Sequence, residues 1–223
     1  MSRLILNEQA VTPATPASGK IAIFADNTAT PLLKMVDDAG TVKHQVDSLY
    51  TQNYASIAAV SAGFAADTYL AGSGITIPLA GGWLQRAKYV CKFDMVKTAA
   101  GTAAFTITVR MGILGTTGDA SRLVLAFAVG TAAVDTGLFE VYVNFRTVGS
   151  GSAAVIQGIT RCTHHLAATG LITTGVSGTG IIIGTGAGFD STTQTKIGIS
   201  VNGGSSFSGT NTLVQAQLIN PGF

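Results

Sequence analysis

From residue 64 onward the chain alternates apolar and polar side chains with a period of two. In the stretch 87–95, Ala87, Tyr89, Cys91, Phe93 and Met95 fall on one face, and Lys88, Lys92 and Asp94 on the other. In 105–113, Phe105, Ile107, Val109, Met111 and Ile113 alternate with Thr106, Thr108 and Arg110; Phe139, Val141, Val143 and Phe145 alternate with Glu140, Tyr142, Asn144 and Arg146. Successive side chains of a strand point to opposite faces, so the pattern predicts antiparallel strands that are dry on one side. The runs Leu123–Val129 and Ile181–Ile183 are apolar on both faces. Further strands are expected at Ile197–Val201 and Leu213–Ile219, with turns at 99–101, 115–118, 149–151 and 202–204. No helical pattern separates the strands, which excludes a parallel βαβ layout. About eight to ten strands in this span predict an all-β protein, an antiparallel β-sandwich of jelly-roll size. No internal repeat is present, so a propeller or solenoid is not expected.

The first 45 residues read differently. Four of the five prolines, Pro13, Pro16, Pro31 and Pro78, lie in the first 78 residues. The stretch 11–19 reads as extended, polyproline-like chain. Short strands are expected at 20–26, 32–37 and 41–45, too few to bury much of a core alone. Residues 1–45 are therefore expected to form an extended N-terminal arm carrying short strands. Its apolar residues Ile21, Ile23, Phe24, Leu32, Leu33, Met35 and Val36 would seek a partner's surface. Between arm and sandwich (64–223), residues 46–63 are expected to be a short helix or linker. Val46, Leu49, Asn53, Ile57 and Val60 recur at three- to four-residue spacing, and Asp47 offers a cap. Such a helix could lie at a symmetry axis or on the sheet.

Charge narrows the function classes. Only 11% of residues are charged, against about 25% in an ordinary domain. After Arg146 the only charged side chains are Arg161, Asp190 and Lys196. A surface so thin in charge is poorly protected against association, and cover by neighbouring subunits would account for it. A net charge of +2 without a Lys/Arg cluster argues against nucleic-acid binding. No apolar run approaches the roughly 20 residues that span a bilayer, and the first residues do not read as a secretory signal. Cys91 and Cys162 are then expected to be reduced, small, buried residues.

Chemistry finds little purchase. His164 and His165 are adjacent, so in a strand they face opposite ways and cannot chelate one ion together. Cys162 can share a face with His164, but two ligands leave a metal site incomplete. The glycine run 184–188 lacks phosphate-loop spacing and reads as sandwich turns. No G-x-S-x-G elbow occurs, and no carboxylate pair is placed for acid–base work. The chain is expected not to be an enzyme and to need no cofactor or metal. Trp83, the single tryptophan, follows Gly81 and Gly82. It reads as a core anchor, or alternatively as a platform for stacking a glycan.

Two stretches carry a resemblance. Residues 15–26 followed by 33–41 have the form P-x-x-G-K-x-x-x-F-A-D … L-K-x-x-D-x-x-G. This resembles an N-terminal module of tailed-bacteriophage structural proteins. The segments Ala66–Ser73, Lys97–Ala104, His165–Gly170 and Ser200–Asn202 are similar to a β-sandwich of phage head-decoration (cement) and fibre proteins. The resemblance implies a jelly roll, a homotrimer, and an arm attached to the major capsid protein on the virion surface, after synthesis in the host cytoplasm. A tail-fibre or spike component recognising a host glycan is the alternative it leaves open; a shell-forming coat protein fits less well.

Overall fold

The computed structural model describes residues 8–9, 12–20, 22–26, 33–36, 39, 42–44, 51–56, 61–77, 82–98, 100–173 and 178–219. The chain divides into two compact units, Met1–Tyr50 with Gly222–Phe223, and Thr51–Pro221.

The first unit is a small sheet of β1 (Glu8–Gln9), β2 (Ala22–Asp26), β3 (Leu33–Val36) and β4 (Val42–His44), hydrogen-bonded in that order. β1 runs parallel to β2, and the other pairs are antiparallel. The three expected short strands are present as β2, β3 and β4.

The second unit holds β5 (Thr51–Ser56), β6 (Ser61–Ala62), β7 (Thr68–Tyr69), β8 (Ile75–Thr76), β9 (Lys88–Lys97), β10 (Ala104–Gly112), β11 (Ala120–Val129), β12 (Asp135–Thr147), β13 (Ala154–His164), β14 (Thr179–Phe189), β15 (Lys196–Asn202), β16 (Gly209–Asn211) and β17 (Val214–Ile219). They form two antiparallel sheets. The larger runs β14-β13-β12-β9, beyond which β17 and β16 both pair with β9, β17 with β5 and β16 with β6. The smaller runs β11-β10-β15, with β7 and β8 pairing along β15. The fold class is the all-β sandwich that the alternation predicts.

The expectation for residues 46–63 is corrected. No helix covers the middle of 46–63: residues 51–56 are strand β5, with Tyr54 registered against Ala216 and Gln52 against Leu218. A three- to four-residue recurrence over so short a window cannot outweigh the ladder hydrogen bonds that β17 offers; residues 46–50 and 57–60 lie outside the described set. β12, β13 and β14 form a consecutive meander in the larger sheet.

The two sheets meet through aromatic rings. Phe93 and Phe139, directly opposed on β9 and β12, stack at 4.9 Å with an interplanar angle of 6°. Phe105 of β10 stacks on Phe139 from the other sheet at 4.8 Å, and Phe127 of β11 meets it edge-on at 5.8 Å. The inward rows Tyr89, Cys91, Met95, Val141, Val143, Ile156, Ile197, Ile199 and Val201 are all 0% exposed.

The glycine-rich stretch is not a set of turns. It is strand β14 itself, and its inward positions are Gly180, Ile182, Gly184 and Gly186. A Cβ on Gly184 would stand 3.0 Å from methyls of both Leu123 and Leu125, and one on Gly186 would overlap the Arg122 carbonyl oxygen. The missing side chains let β11 lie directly against β14 and close that flank of the sandwich. Gly186→Ala should therefore cost about 2 kcal/mol or more by overpacking, whereas Thr185→Ser on the outward face should stay within about 0.5 kcal/mol. Urea unfolding of the two variants compares them; equal stabilities would remove the close-approach argument.

Candidate interaction surface

The residues expected to bind a partner through the arm divide by strand alternation. Ile23 is 50% exposed, while Phe24 and Val36 are buried at 3% and 1%. Phe24 and Val36 are thus packing residues, which corrects their assignment to a contact surface: neighbours along a strand face opposite ways, so both cannot serve outside. Ile23 is registered against Met35, and Ala25 against Leu33. Ile21 and Leu32 lie outside the described residues.

Trp83 is 1% exposed and stacks on Phe145 of β12 at 5.1 Å. Its indole N–H donates to the Gln194 carbonyl at 2.6 Å. A ring sealed on this scale cannot present a face to a sugar, so the glycan-platform reading of Trp83 is corrected and its core-anchor reading stands. The preceding glycines gave no clue, because exposure depends on the β12 and β15 segments that fold over the ring.

Five exposed apolar side chains of the sandwich, Ile113, Leu114, Leu138, Ile181 and Ile183, are placed by two devices. The first is the β10–β11 hairpin tip. Alternation predicts Ile113 as an inward residue, yet it is 62% exposed, and Leu114 is 56% exposed. β10 ends at Gly112 because the Asp119 carboxylate captures the next backbone amides: Ile113 N–H at 3.1 Å, Leu114 N–H at 2.9 Å and Gly115 N–H at 2.6 Å. Arg110 clasps the same loop. Its guanidinium donates to the Asp119 carbonyl at 2.6 Å, the Thr117 carbonyl at 3.0 Å and Ser200 Oγ at 2.7 Å, and forms an ion pair with Asp67. Lys196 Nζ adds a bond to the Leu114 carbonyl at 3.2 Å. The tip is a fixed turn with two aliphatic side chains held in solvent.

The second device is the outward face of the larger sheet. One cross-strand row reads Val90, Tyr142, Ile159, Ile183; the next reads Lys92, Glu140, Arg161, Ile181. Lys92 and Glu140 bridge at 2.8 Å. Ile183 and Ile181 are 65% and 56% exposed, and Leu138, one row further, 58%. An apolar row beside a charged row is the composition of a docking face with a polar margin.

At the opposite end of the sandwich from Trp83, the inward rows turn polar. Lys97 of β9 and Asp135 of β12 are registered opposite each other. Lys97 Nζ donates to the carbonyls of Gly101 at 2.6 Å, Gly170 at 3.2 Å and Thr131, and lies 5.8 Å from the Phe207 ring centre. Burial pulls its ammonium below the usual lysine range. Asp135 meets the His164 Nδ1 at 2.7 Å and accepts N–H bonds from Leu171 at 2.9 Å, Thr136 at 2.8 Å and Leu166 at 3.2 Å. Burial pushes the Asp135 carboxyl up, but these bonds together hold it below the ordinary carboxylate range. The pair resembles two members of a hydrolase triad, yet both side chains are 0% exposed and Asp135 is spent on holding the loop 165–171. Burial pushes the Cys91 and Cys162 thiols up to about 12, so both stay protonated at neutral pH. Among the described residues no three His, Cys, Asp or Glu side chains group as metal ligands.

Asp135 carries a pH signature. Its folded carboxyl sits below the unfolded value near 3.9, so its contribution is present above about pH 4 and is lost as pH falls through the folded value. Asp135→Asn should cost about 2 kcal/mol at pH 7 and should show a smaller further loss than the native chain between pH 7 and pH 3. Equal losses in both would take Asp135 out of this account. Trp83→Ala should cost about 3 kcal/mol or more, read as a lower urea midpoint with the sheets intact; an unchanged midpoint would contradict its burial.

No family model and no curated protein sequence matches the chain. Among solved structures it is similar to a Lotus tetragonolobus seed lectin isoform, at 8% identity and a TM-score of 0.39, over 78% of this chain and 94% of that one. It is also similar to the CBM2 module of the evolved Dit of Lactobacillus casei BL23 phage J-1, at 12% identity and a TM-score of 0.33, over 67% of this chain and 70% of that one. A third likeness, to infectious bursal disease virus strain Gx, has 11% identity and a TM-score of 0.21, over 90% of this chain and 48% of that one.

Proposed function

We propose that this chain is a structural protein of a bacteriophage particle that works by docking onto other protein subunits, as a decoration protein of the head. The observation that carries the reading is a pair of compact units in which the sandwich closes its own core and still holds aliphatic side chains outward on fixed backbone. Ile113, Leu114, Leu138, Ile181 and Ile183 are each more than half exposed. All five sit within a strand or on a turn pinned by buried charge, where exposure is built in. A charge-poor surface agrees with cover by neighbours. The resemblance of the 15–41 stretch to phage structural modules supplies the biological setting.

In this reading the N-terminal unit attaches to the major capsid protein, with Ile23 on its exposed side. The sandwich joins two further copies as a homotrimer. Threefold attachment multiplies weak individual contacts without new chemistry. No catalytic step, cofactor or nucleic acid enters the mechanism.

Removal of residues 1–50 tests it. The remaining chain should stay folded and soluble, because its core lies within Thr51–Pro221. It should fail to co-sediment with phage heads that lack the native protein, while the full chain binds them in many copies. Undiminished co-sedimentation of the shortened chain would refute the attachment role.

A further inference from the structure

A groove at the Trp83 end of the sandwich contains polar atoms that the packing leaves unused. It lies between the β10–β11 hairpin tip and the turn that leads into β15, with a volume of about 410 Å³, and is lined by residues including Ile113, Leu114, Asp119, Arg122, Thr193 and Gln194. Arg122 Nε is buried without a hydrogen-bond partner. Its guanidinium lies over the Phe189 ring, 4.9 Å from the centre. Gln194 is only 5% exposed, and its Oε1 has no partner either.

The orphan atom of Gln194 is its amide oxygen. Gln194 Nε2 donates to the Asp190 carbonyl at 2.5 Å, and turning the amide over would set oxygen against oxygen there. The Gln194 backbone is fixed from behind by the Trp83 N–H. Asp119 is engaged by the amides of the hairpin tip, and Asp190, which feels the Arg122 charge without bonding its Nε, accepts from Thr192 at 2.7 and 2.6 Å and from Gly151 at 3.1 Å. The groove therefore offers a cation, an unfilled acceptor and, at its rim, the exposed side chains of Ile113 and Leu114.

Buried polar groups without partners are rare in folded proteins, and each one asks for an explanation. A ligand that satisfies this set brings an anion to Arg122, a donor to Gln194 and an aliphatic group to the rim. A sugar is poorly served, since among the described residues no aromatic side chain lines the groove and the Phe189 face is occupied by Arg122. An extended protein segment supplies all three: a carboxylate side chain, a backbone N–H and an apolar neighbour. We propose that this groove receives an acidic residue and its adjacent aliphatic residue from another protein subunit. The assignment rests on the reading that this chain docks onto proteins. Its parts are fixed in advance by ring stacking and by the pinned hairpin, so little ordering remains for binding to oppose.

Titration of the full chain with acetyl-Leu-Glu-Leu amide, followed by NMR, tests the proposal. The peptide should shift the Arg122 Nε–H and the Ile113 and Leu114 methyl signals. It should bind at least tenfold more tightly than acetyl-Leu-Gln-Leu amide, a difference of about 1.4 kcal/mol. Arg122→Gln removes the charge that distinguishes a carboxylate from an amide, and should abolish that preference. Because Arg122 also packs on Phe189, the surface double variant Ile113→Ser, Leu114→Ser provides a second arm, and it should weaken both peptides with an unchanged melting temperature. Equal binding of the two peptides, or peptide affinity indifferent to the rim variant, overturns the proposal. Glucuronate that produces the same shifts at lower concentration than the Glu peptide also overturns it, in favour of an acidic sugar. Head binding by the chain lacking residues 1–50 is a separate measurement, so failure here and failure of the attachment role are told apart.

Discussion

Phe139 is the point on which the sandwich turns. Its ring touches Phe93 in its own sheet and Phe105 and Phe127 in the other. Stacked and edge-on rings at these separations add to the free energy of area burial. They also fix the spacing of the sheets at their centre. With that spacing set, β11 can reach β14 only where side chains are absent, which is what Gly184 and Gly186 provide. The two ends of the sandwich are then free to differ. One is sealed by a buried lysine and an aspartate–histidine pair; the other displays aliphatic side chains on a pinned hairpin.

This division explains why so few charges suffice. Lys97, Asp135, Arg110 and Asp119 all spend their charge on backbone carbonyls and amides that loops would otherwise leave unpaired. A buried polar backbone group without a partner is costly, and each of these side chains satisfies several at once. On the outward face of the larger sheet the remaining charge is gathered into the row of Lys92, Glu140 and Arg161, which borders the aliphatic row on one side.

The strands were legible where one face is dry and the other wet. The inward sets of β9 and β12 fall where alternation places them, and β10 follows until Gly112. Alternation could not see Asp119 reaching back to turn Ile113 outward, because that bond joins residues on either side of the turn. It could not distinguish a glycine-rich turn from a glycine-faced strand, since the reason for the glycines is the backbone of β11, distant in sequence. For Trp83 the core-anchor and glycan-platform readings stay open in the sequence until the segments that cover the ring are in place. Strand order was equally hidden, because periodicity carries no sign of the meander of β12 to β14. Of the candidate surface, only the exposure of Ile23 was anticipated; the hairpin tip and the Arg122 groove depend on contacts between remote segments.

The position of β17 has a consequence for how the molecule is made. Val214, Ala216 and Leu218 insert between β5 and β9, with Val214 opposite both Ser56 and Phe93. During synthesis β5 and β9 both emerge long before this strand. Each must wait with an unpaired edge until β17 has left the ribosome. Bare edges are templates for pairing with other chains, so the interval between translation of β9 and arrival of β17 is when this protein is most exposed to intermolecular mispairing, and β17 acts as the wedge that ends it.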